Sequence, residues 1–493
     1  MIKDNKVLLG KAEDKEIMMI PKMLNRHGLI AGATGTGKTV TLKVIAESLS
    51  ELGVPTMVCD IKGDLTGLIK EGDLSSIQER LNSMGITDFD VQKYPVHFFD
   101  VYQKEGHPVR VTIQGMGSLL FSHILDLTEA QEGILNIIFK VAEDMQLDVI
   151  DLKDLQAMTA YVGEHASDFT LKYGNITKQS VGAIQRKLLE LEQEGGDIFF
   201  GMPALNLEDW MSTEGGLGLI NVLECNTLFQ KPLLYATFLE WMLEELYNTL
   251  PEVGDLDKPK LVLFFDEAHL LFDDASKQLL QKMEQTIKLI RSKGVGIFFV
   301  TQNPADIPDA ILAQLGNRIE HALRAYTPTE IKAVKMAAES FRANEKFDTT
   351  EAISQLKTGQ ALVSVLDEDG APTIVEITKI LPPKSFMGAI SEEEVKKAID
   401  TDSIAGKYEK AYDPTSAYEE MDSIKEKEAE EVQMKKEADE KEKEAARQAK
   451  KKASQPTQAE RIAKKVMNRA ENELVNYGTR SAKKILRGLL RNL

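Results

Sequence analysis

Cysteine is scarce in this 493-residue chain, which contains only Cys59 and Cys225. Two cysteines cannot build the disulfide framework of a small secreted protein, and neither lies in a metal-ligand spacing, so this usage is typical of the reducing cytosol. The longest apolar runs, such as 261–265 and 297–300, are far shorter than the roughly 20 residues of a membrane-spanning helix. The chain also starts without a basic-then-apolar leader. We therefore expect a soluble, cytoplasmic protein with no transmembrane segment.

An overall excess of positive charge is absent too, since the net charge is −18. From Arg447 onward, thirteen lysines and arginines face three glutamates, a net of +10, which leaves −28 for the first 446 residues. An acidic body does not exclude nucleic-acid binding, because an oligomeric ring needs only a locally basic pore. Composition alone therefore gives no argument for DNA. The hydrophobic fraction of 43% is enough for a substantial core and excludes wholesale disorder.

Short apolar runs alternate with helical patterns along the chain. This alternation predicts an α/β fold with a mostly parallel, doubly wound sheet, as in a P-loop nucleotide-binding core. The predicted strands are 27–31, 55–60, 96–101, 109–113, 217–223, 260–265 and 295–301. Two further runs, 360–365 and 373–380, are joined by a turn at Asp369-Gly370 and predict a hairpin that closes the sheet.

Shifts in composition predict five parts along the chain. The parts are 1–115, the first part of the core; 116–210, a helical insertion; 211–390, the second part of the core; 391–455, a charged helical linker; and 456–493, basic amphipathic C-terminal helices. No internal repeat of fixed period is present in the sequence.

A glycine-rich segment between the first predicted core strand and a helix matches the Walker A pattern at every required position. The predicted nucleotide-binding residues are Gly32, Ala33, Thr34, Gly35, Thr36, Gly37, Lys38, Thr39 and Val40. Backbone N–H groups can wrap a phosphate chain only where side chains do not intrude, and the following helix directs its positive end at the same phosphates. Lys38 would reach the β- and γ-phosphates, and the Thr39 hydroxyl would bind Mg²⁺. The alternative is a chance glycine turn, against which the strand-to-helix context argues.

Two acids follow the apolar run 261–265, which is typical of a strand buried on both faces. Open parallel sheets bind ligands at the carboxyl ends of their strands. Asp266 is therefore predicted to hold Mg²⁺ and Glu267 to polarise the attacking water, with ATP as the nucleotide. The alternative is a strand that ends in two acids with no catalytic role. The presence of the glycine loop favours the catalytic role.

Gln302 follows the next apolar run, 295–301, which is one strand after the two acids. A polar amide at this position is predicted to sense the γ-phosphate. The alternative is a glutamine that caps a turn. A GTPase is not indicated, because no Asn-Lys-x-Asp base-recognition sequence follows the core strands. A small-molecule kinase would rarely need so long a chain with a charged helical tail.

With these motifs in place, the chain resembles the HerA/FtsK superfamily of ring ATPases, and most of all the bacterial HerA-like, YjgR-type group. The resemblance covers nearly the whole chain. Besides the glycine loop, Asp266-Glu267-Ala268-His269 and Thr301-Gln302, the matching stretches are Arg26-His27-Gly28, Asp60-Ile61-Lys62-Gly63-Asp64, Gln131-Glu132-Gly133, Gly182-Ala183-Ile184-Gln185-Arg186, Phe199-Phe200-Gly201 and Arg487-Gly488-Leu489-Leu490.

The resemblance implies a RecA-like P-loop NTPase fold and a homo-oligomeric ring, expected to be a hexamer, with ATP held between neighbouring subunits. Arg291 matches a family arginine that approaches the neighbour's γ-phosphate in trans, where it would stabilise charge on the transferred phosphoryl group. Its alternative is a solvated cation at a helix end. Arg26 matches another arginine beside the nucleotide, and Asp60 matches an acid near the site and a possible metal ligand.

One departure from the family concerns the N-terminus. HerA carries a small β-barrel domain ahead of its ATPase core, whereas about thirty residues precede the glycine loop in this chain. Coupling to a partner nuclease is therefore not expected. Two functions stay open: a DNA translocase or helicase, and an ATP-driven remodelling or regulatory ATPase that acts on proteins.

Basic residues in two places bear on that choice. Lys172, Lys178 and Arg186 of the insertion are candidates for a DNA-binding pore. The basic segment from Ala459 carries apolar residues at helical spacing, and could bind a neighbouring subunit, nucleic acid or an anionic membrane surface. The Glu- and Lys-rich stretch 419–452 before it predicts a solvated helix or a mobile linker.

Overall fold

A computed structural model describes residues 1–272, 277–453 and 457–475 of the chain. Its contacts separate two units, Met1–Met421 and Asp422–Leu493. None of the helices in these ranges is long and apolar enough to cross a membrane.

The strands of the described residues lie almost entirely in one sheet. In chain order they are β1 (Ile2–Lys3), β2 (Lys6–Ala12), β3 (Lys15–Met19), β4 (Gly28–Ala31), β5 (Thr56–Asp60), β6 (Val96–Asp100), β7 (His107–Pro108), β8 (Thr213–Glu214), β9 (Leu217–Gly218), β10 (Ile220–Glu224), β11 (Leu261–Phe265), β12 (Val295–Thr301), β13 (Asn317–His321), β14 (Gln360–Ser364) and β15 (Glu376–Ile380). Only β8 and β9 form a separate pair.

Helices cover the remaining regular structure of the described ranges. They are α1 (Lys38–Glu51), α2 (Leu74–Ser83), α3 (Ile113–Met116), α4 (Ser118–Ile124), α5 (Glu129–Asp144), α6 (Leu152–Glu164), α7 (Ala166–Tyr173), α8 (Lys178–Leu191), α9 (Asp197–Phe199), α10 (Pro232–Thr249), α11 (Lys277–Ile290), α12 (Asp309–Leu312), α13 (Pro328–Glu339), α14 (Thr349–Gln355), α15 (Glu392–Asp400), α16 (Ala417–Ala453) and α17 (Gln458–Val475). The helices α4 to α9 fall within 116–210, the stretch predicted to be a helical insertion.

The large sheet runs in the order β1-β2-β15-β14-β13-β4-β12-β11-β5-β10-β6-β7, with β3 paired to β2. From β13 to β7 every neighbouring pair is parallel, while β14, β15 and the N-terminal strands are antiparallel. Every residue of β11 and β12 is buried, as the apolar runs predict for strands covered on both faces. The predicted mostly parallel α/β sheet and the hairpin of β14 and β15 are confirmed, but the hairpin does not close the sheet, because β15 pairs onward with β2.

Stacked phenylalanines join the two central strands. Phe264 of β11 lies opposite Phe298 of β12 with ring centroids 5.2 Å apart, and Phe265 lies opposite Phe299 at 5.6 Å. Successive residues of a strand point to opposite faces, so one pair lies on each side of the sheet. Each buried ring contributes about 1.5–3 kcal/mol through burial. The pairs thereby fix the register of the two strands whose ends carry Glu267 and Gln302.

The N-terminal segment differs from the sequence-based prediction, which placed no strand ahead of β4. Strands β2 and β3 form an antiparallel hairpin, and β2 pairs with β15. The close contact depends on Gly10, because a Cβ there would lie 2.1 Å from the carbonyl oxygen of Lys379. The apolar run of β2 is only three residues long, 7–9, and is bounded by Lys6 and by Gly10 and Lys11, so a search for longer continuous apolar runs passes over this strand.

Two predicted strands are wrong in detail. The run 109–113 is not a strand, because Ile113 already starts α3 and the Thr112 side chain caps that helix by accepting from the Gly115 N–H. The run 217–223 is split into β9 and β10, since the Leu219 N–H is drawn to the carbonyl oxygen of Ser212. In both cases a local hydrogen bond outweighs the apolar pattern.

The chain after the sheet returns to the core, although the sequence assigns 391–455 to a charged linker. Residues 401–416, the strap, contact His107 of β7. The imidazole Nε2 lies 3.0 Å from Asp402 Oδ2 and its Nδ1 lies 2.6 Å from Glu409 Oε1. Burial acts to lower the pKa of His107, but these two hydrogen bonds outweigh it and the pKa is raised. Since carboxylates accept only, both ring nitrogens must donate, and His107 is a buried imidazolium.

The end of the strap is fixed on the helical insertion. Asp154 Oδ1 of α6 accepts from Ser416 Oγ at 2.6 Å and from the Tyr418 N–H at 2.8 Å, at the first turn of α16. Beyond this point α16 is largely exposed, as expected for a solvated helix. The predicted basic C-terminal helices are described only as far as α17, and Ile485, Leu486 and the stretch 487–490 lie outside the described residues.

Candidate nucleotide site

The predicted site residues meet at one edge of the sheet. The glycine loop follows β4, Asp60 ends β5, Asp266 and Glu267 follow β11, and Gln302 follows β12. These four strands are neighbours and parallel, in the order β4-β12-β11-β5. Their carboxyl ends therefore bring the side chains together, as open parallel sheets do at a ligand site.

The glycine loop is packed at its rear and open at its front. Gly32 and Gly37 have φ of +146° and +115°, and a Cβ on Gly32 would lie 2.5 Å from the Cβ of His321. Gly35 has φ of +76°, and no described atom lies within 4 Å of a Cβ built there. The loop thus adopts a backbone that favours glycine, with an open concave side of the kind that cradles phosphate.

Hydrogen bonds fix this loop to the strands beside it. The Ala33 N–H donates to the carbonyl oxygen of Ala322 at 2.9 Å, and the Gly359 N–H donates to that of Thr36 at 2.9 Å. His321, at the end of β13, shares a hydrogen bond of 2.8 Å with Thr41 Oγ1 of α1. Burial lowers the pKa of His321 to about 4, so the imidazole is neutral at ordinary pH. His321 is not among the predicted site residues, because no pattern near the glycine loop indicates a supporting contact from a distant strand.

Lys38 starts α1 and is almost fully buried, at 6% exposure. Its ammonium donates to the carbonyl oxygens of Gly32 at 2.7 Å and Ala33 at 3.3 Å. Burial lowers the pKa of this ammonium, and the nearby Glu267 carboxylate opposes that shift. The side chain is thus folded along the inside of the loop. Thr39 and Val40 continue the first turn of the same helix.

Asp266 and Glu267 are both buried, at 7% and 6% exposure. Burial raises the pKa of Asp266 to about 6, with the charge of Lys62 acting against that rise. The Glu267 N–H donates to Asp266 Oδ1 at 2.9 Å, and Glu267 has φ of +46°. A left-handed backbone is unusual for a residue other than glycine and marks local strain at this turn.

The Glu267 carboxylate contacts two side chains from neighbouring strand ends. Lys62 Nζ lies 2.8 Å from Oε1, and Gln302 Nε2 lies 3.3 Å from Oε1 and 3.2 Å from Oε2. Burial acts to raise the pKa of Glu267, but these partners outweigh it and the pKa is lowered. The Thr34 hydroxyl lies 3.4 Å from Gln302 Oε1, so Gln302 bridges the glycine loop and Glu267.

Lys62 had no predicted role, although its stretch was noted. The signal available in the sequence is its position two residues after Asp60, at the end of a predicted strand of the same edge.

Asp60 is engaged by the turn that follows β5. Its Oδ1 accepts from the N–H groups of Lys62 at 3.1 Å and Gly63 at 2.9 Å, and its Oδ2 accepts from that of Leu65 at 2.8 Å. These bonds account for the burial of the carboxylate. A metal-ligand role for Asp60 is not needed to explain its place and stays a prediction.

Arg26 and Arg291 lie at the opposite edge of the sheet. Arg26 precedes β4 and contacts the turn after β14, where a Cβ on Gly370 would lie 2.1 Å from its Nη1. Arg291 follows α11 and precedes β12. The glycine loop is at the carboxyl ends of these strands and the arginines are at the amino ends. Neither guanidinium therefore lies beside the glycine loop of its own chain.

The residues at this edge fit ATP and Mg²⁺. The open front of the loop, the N-terminus of α1 and Lys38 together suit a chain of phosphates. In the described part of the chain, no group of three His, Cys, Asp or Glu side chains could hold a metal ion. The Thr39 hydroxyl and the Asp266 carboxylate offer the oxygen ligands that Mg²⁺ takes when phosphate oxygens complete its shell.

Comparison with known proteins gives one family and several relatives. The family described as Helicase HerA-like C-terminal matches residues 5–493. The chain is 22% identical over 398 residues to the DNA double-strand break repair helicase HerA of Sulfolobus acidocaldarius, covering 79% of this chain and 72% of that protein. It is 24% identical over 408 residues to the HerA of Sulfurisphaera tokodaii, covering 80% and 73%.

Solved structures agree with the fold. The plasmid coupling protein TrwB in complex with the non-hydrolysable GTP analogue GDPNP has a TM-score of 0.53 at 14% identity, over 80% of this chain and 92% of that chain. A second TrwB structure, the unbound monoclinic form, gives 0.52 over 78% and 90%. The predicted RecA-like arrangement of the core is thereby confirmed.

Proposed function

The chain belongs to the Helicase HerA-like C-terminal family, and on that premise we propose that it is an ATP-hydrolysing ring motor that translocates or unwinds DNA. The observation that carries the proposal is the meeting of Lys38, Asp266, Glu267 and Gln302 at one edge of the sheet, around an open glycine loop. The curated HerA relatives are named as DNA double-strand break repair helicases, and they align over about four fifths of this chain.

Each side chain has a part in hydrolysis. Lys38 and the N-terminus of α1 stabilise the charge on the β- and γ-phosphates. Thr39 and Asp266 would hold Mg²⁺, which would neutralise the charge that develops on the phosphates. Glu267 accepts a hydrogen bond from the attacking water and polarises it. Gln302, which already bridges the loop and Glu267, reports the state of the γ-phosphate to both.

In a ring, a neighbouring subunit supplies the arginine that a single chain does not place beside its own glycine loop. Arg291 and Arg26 lie at the amino ends of the strands, away from their own glycine loop. A neighbouring subunit that presents this edge to the nucleotide would complete the site with a cation, as arginine fingers do in trans. We propose a closed hexamer, as the family resemblance implies, because head-to-tail contacts form a ring when the rotation between subunits closes.

DNA is the favoured substrate and protein remodelling the second candidate. Of the three pore candidates, Lys172 is held by Asp144 at 2.5 Å, which offsets its charge. Lys178 and Arg186 are exposed on α8. The remodelling candidate is favoured by the acidic body, with −28 on the first 446 residues. A remodelling ATPase of this kind would hydrolyse ATP at a rate that nucleic acid does not change.

Steady-state ATPase measurements with and without DNA test the function. We expect double- or single-stranded DNA to stimulate hydrolysis, and the stimulation to fall between low and moderate salt, because phosphate contacts release counterions. The Lys38→Ala chain, with or without DNA, is the control for contaminating activity. Robust hydrolysis that no nucleic acid changes would reject the DNA motor and support the remodelling ATPase.

Mixed rings test the trans role of Arg291. Arg291→Ala and Lys38→Ala subunits should each be inactive alone, whereas a one-to-one mixture should recover about a quarter of the interfaces, since each interface draws one intact part from each side. The matched control is a mixture of Lys38→Ala with Glu267→Gln, whose defects belong to the same site and should not complement. Activity equal to that control, in rings shown to be mixed, contradicts trans action.

A further inference from the structure

The glutamate proposed to polarise water is already paired with a lysine. Lys62 Nζ lies 2.8 Å from Glu267 Oε1, across 205 residues of sequence. The Glu267 side chain is 7% exposed and that of Lys62 is 41% exposed. The contact therefore joins a fixed, buried carboxylate to a lysine whose stem has room to move.

The backbone holds the two partners differently. Glu267 lies in a left-handed turn directly after β11, whose strand is locked to β12 by the stacked phenylalanines. Lys62 lies in the turn after β5 that is capped by Asp60. A lysine stem has four rotatable carbons and an ammonium that donates in any direction. Exchange of partners by Lys62 needs no movement of the sheet.

Charge sets the direction of such an exchange. Without nucleotide, the carboxylates of Asp64, Asp266 and Glu267 act on the Lys62 ammonium, while Lys38 Nζ donates to loop carbonyls. A triphosphate on the loop adds several negative charges beside Lys62, and buried charges require a partner. Because the Lys62 ammonium offsets its negative charge, the paired Glu267 carboxylate polarises a water less than a free carboxylate does.

We propose that Lys62 is a latch on Glu267. In the nucleotide-free chain the Lys62 ammonium pairs with the Glu267 carboxylate. When ATP binds, the Lys62 side chain moves so that its ammonium pairs with the triphosphate instead, which frees Glu267 for the attacking water. The inference rests on the proposed ATPase function and adds a positioning residue to it. The competing arrangement is a static pair, in which Lys62 orients Glu267 throughout the cycle and does not contact nucleotide.

A double-mutant cycle on nucleotide binding distinguishes the latch from the static pair. The probe is Mg²⁺ with the slowly hydrolysed analogue ATPγS, titrated calorimetrically into the full chain. In the latch, Glu267→Gln releases Lys62 in advance, so binding tightens by about five- to tenfold, a size typical of coupling between sites. Lys62→Met weakens binding. In the double variant, Glu267→Gln no longer tightens ATPγS binding, because no ammonium is left at position 62 to pair with the triphosphate.

Other results overturn the latch. If Glu267→Gln tightens binding equally in the Lys62→Met background, the effect is simple repulsion between carboxylate and phosphate. If it tightens binding in neither background, the pair is static. If the wild-type chain itself binds no ATPγS, the proposed function fails, which is a separate result. Lys62→Gln repeats the cycle should Lys62→Met lower the melting temperature.

An exposed ion pair on the same chain supplies the matched control. Lys70 Nζ lies 3.0 Å from Glu394 Oε1, with both side chains about half exposed. Lys70→Met, Glu394→Gln and the double variant make the same chemical changes away from the loop. They should leave ATPγS affinity unchanged, which shows that the cycle at Lys62 and Glu267 reports their place in the site.

Discussion

Replacing Lys38 by alanine should lower kcat/KM for ATP by about a hundredfold or more, because the chain loses the cation that stabilises charge on the transferred phosphoryl group. ATP binding should weaken as well, since Lys38 lies along the inside of the glycine loop. Hydrolysis and equilibrium binding of ATP measure the two effects.

The same substitution should cost little stability in the absence of nucleotide. Burial lowers the pKa of the Lys38 ammonium, so keeping it charged in this place works against folding. The melting temperature of the nucleotide-free Lys38→Ala chain should therefore lie close to that of the wild type. Lys22→Ala, an exposed lysine, is the control for purification and assay. Wild-type turnover by Lys38→Ala would remove this loop from the proposed mechanism.

Replacing Glu267 by glutamine should abolish steady-state turnover in a different manner. A positioned general base contributes about 10²–10⁴-fold to a rate, and glutamine has the shape of glutamate without its basicity. ATP should therefore bind and remain bound. A rapid filtration assay should find uncleaved ATP on Glu267→Gln and ADP on the wild type.

The shape of glutamine also protects the local structure. Its amide oxygen can still accept from Gln302, so the strained turn at residue 267 keeps this contact, while the ion pair with Lys62 is lost. Glu394→Gln is the control for loss of a carboxylate elsewhere. Substantial steady-state hydrolysis by Glu267→Gln would assign the water to another group.

The central strands could be predicted from the sequence because their signal is local. Strands β4, β5, β11 and β12 are buried on both faces and read as continuous apolar runs. The N-terminal hairpin is not of this kind. Its strand β2 has an apolar run of only three residues, and Gly10 is explained only by the distant Lys379 that it meets. Pairing between residues so far apart leaves no pattern within either segment.

The same distinction applies to the site. The glycine loop, Asp266, Glu267 and Gln302 directly follow strands that the sequence predicts, so parallel pairing brings them to one edge. The contact of Thr41 with His321 spans 280 residues, and that of Lys62 with Glu267 spans 205. Neither has a spacing that motif analysis can detect. The strap is another such case, since its Asp402 and Glu409 carboxylates pair with the buried His107 of the core.

The stacked phenylalanines on both faces of β11 and β12 affect how ATP hydrolysis is coupled to conformational change. Packed rings resist shear, so the ends of these two strands are carried as one stiff lever. Displacement during a cycle must then arise at softer joints, in the turns that carry Lys62 and the glycine loop and between subunits. A motor of this design transmits force by shifting whole bodies across bistable contacts rather than by deforming its central sheet.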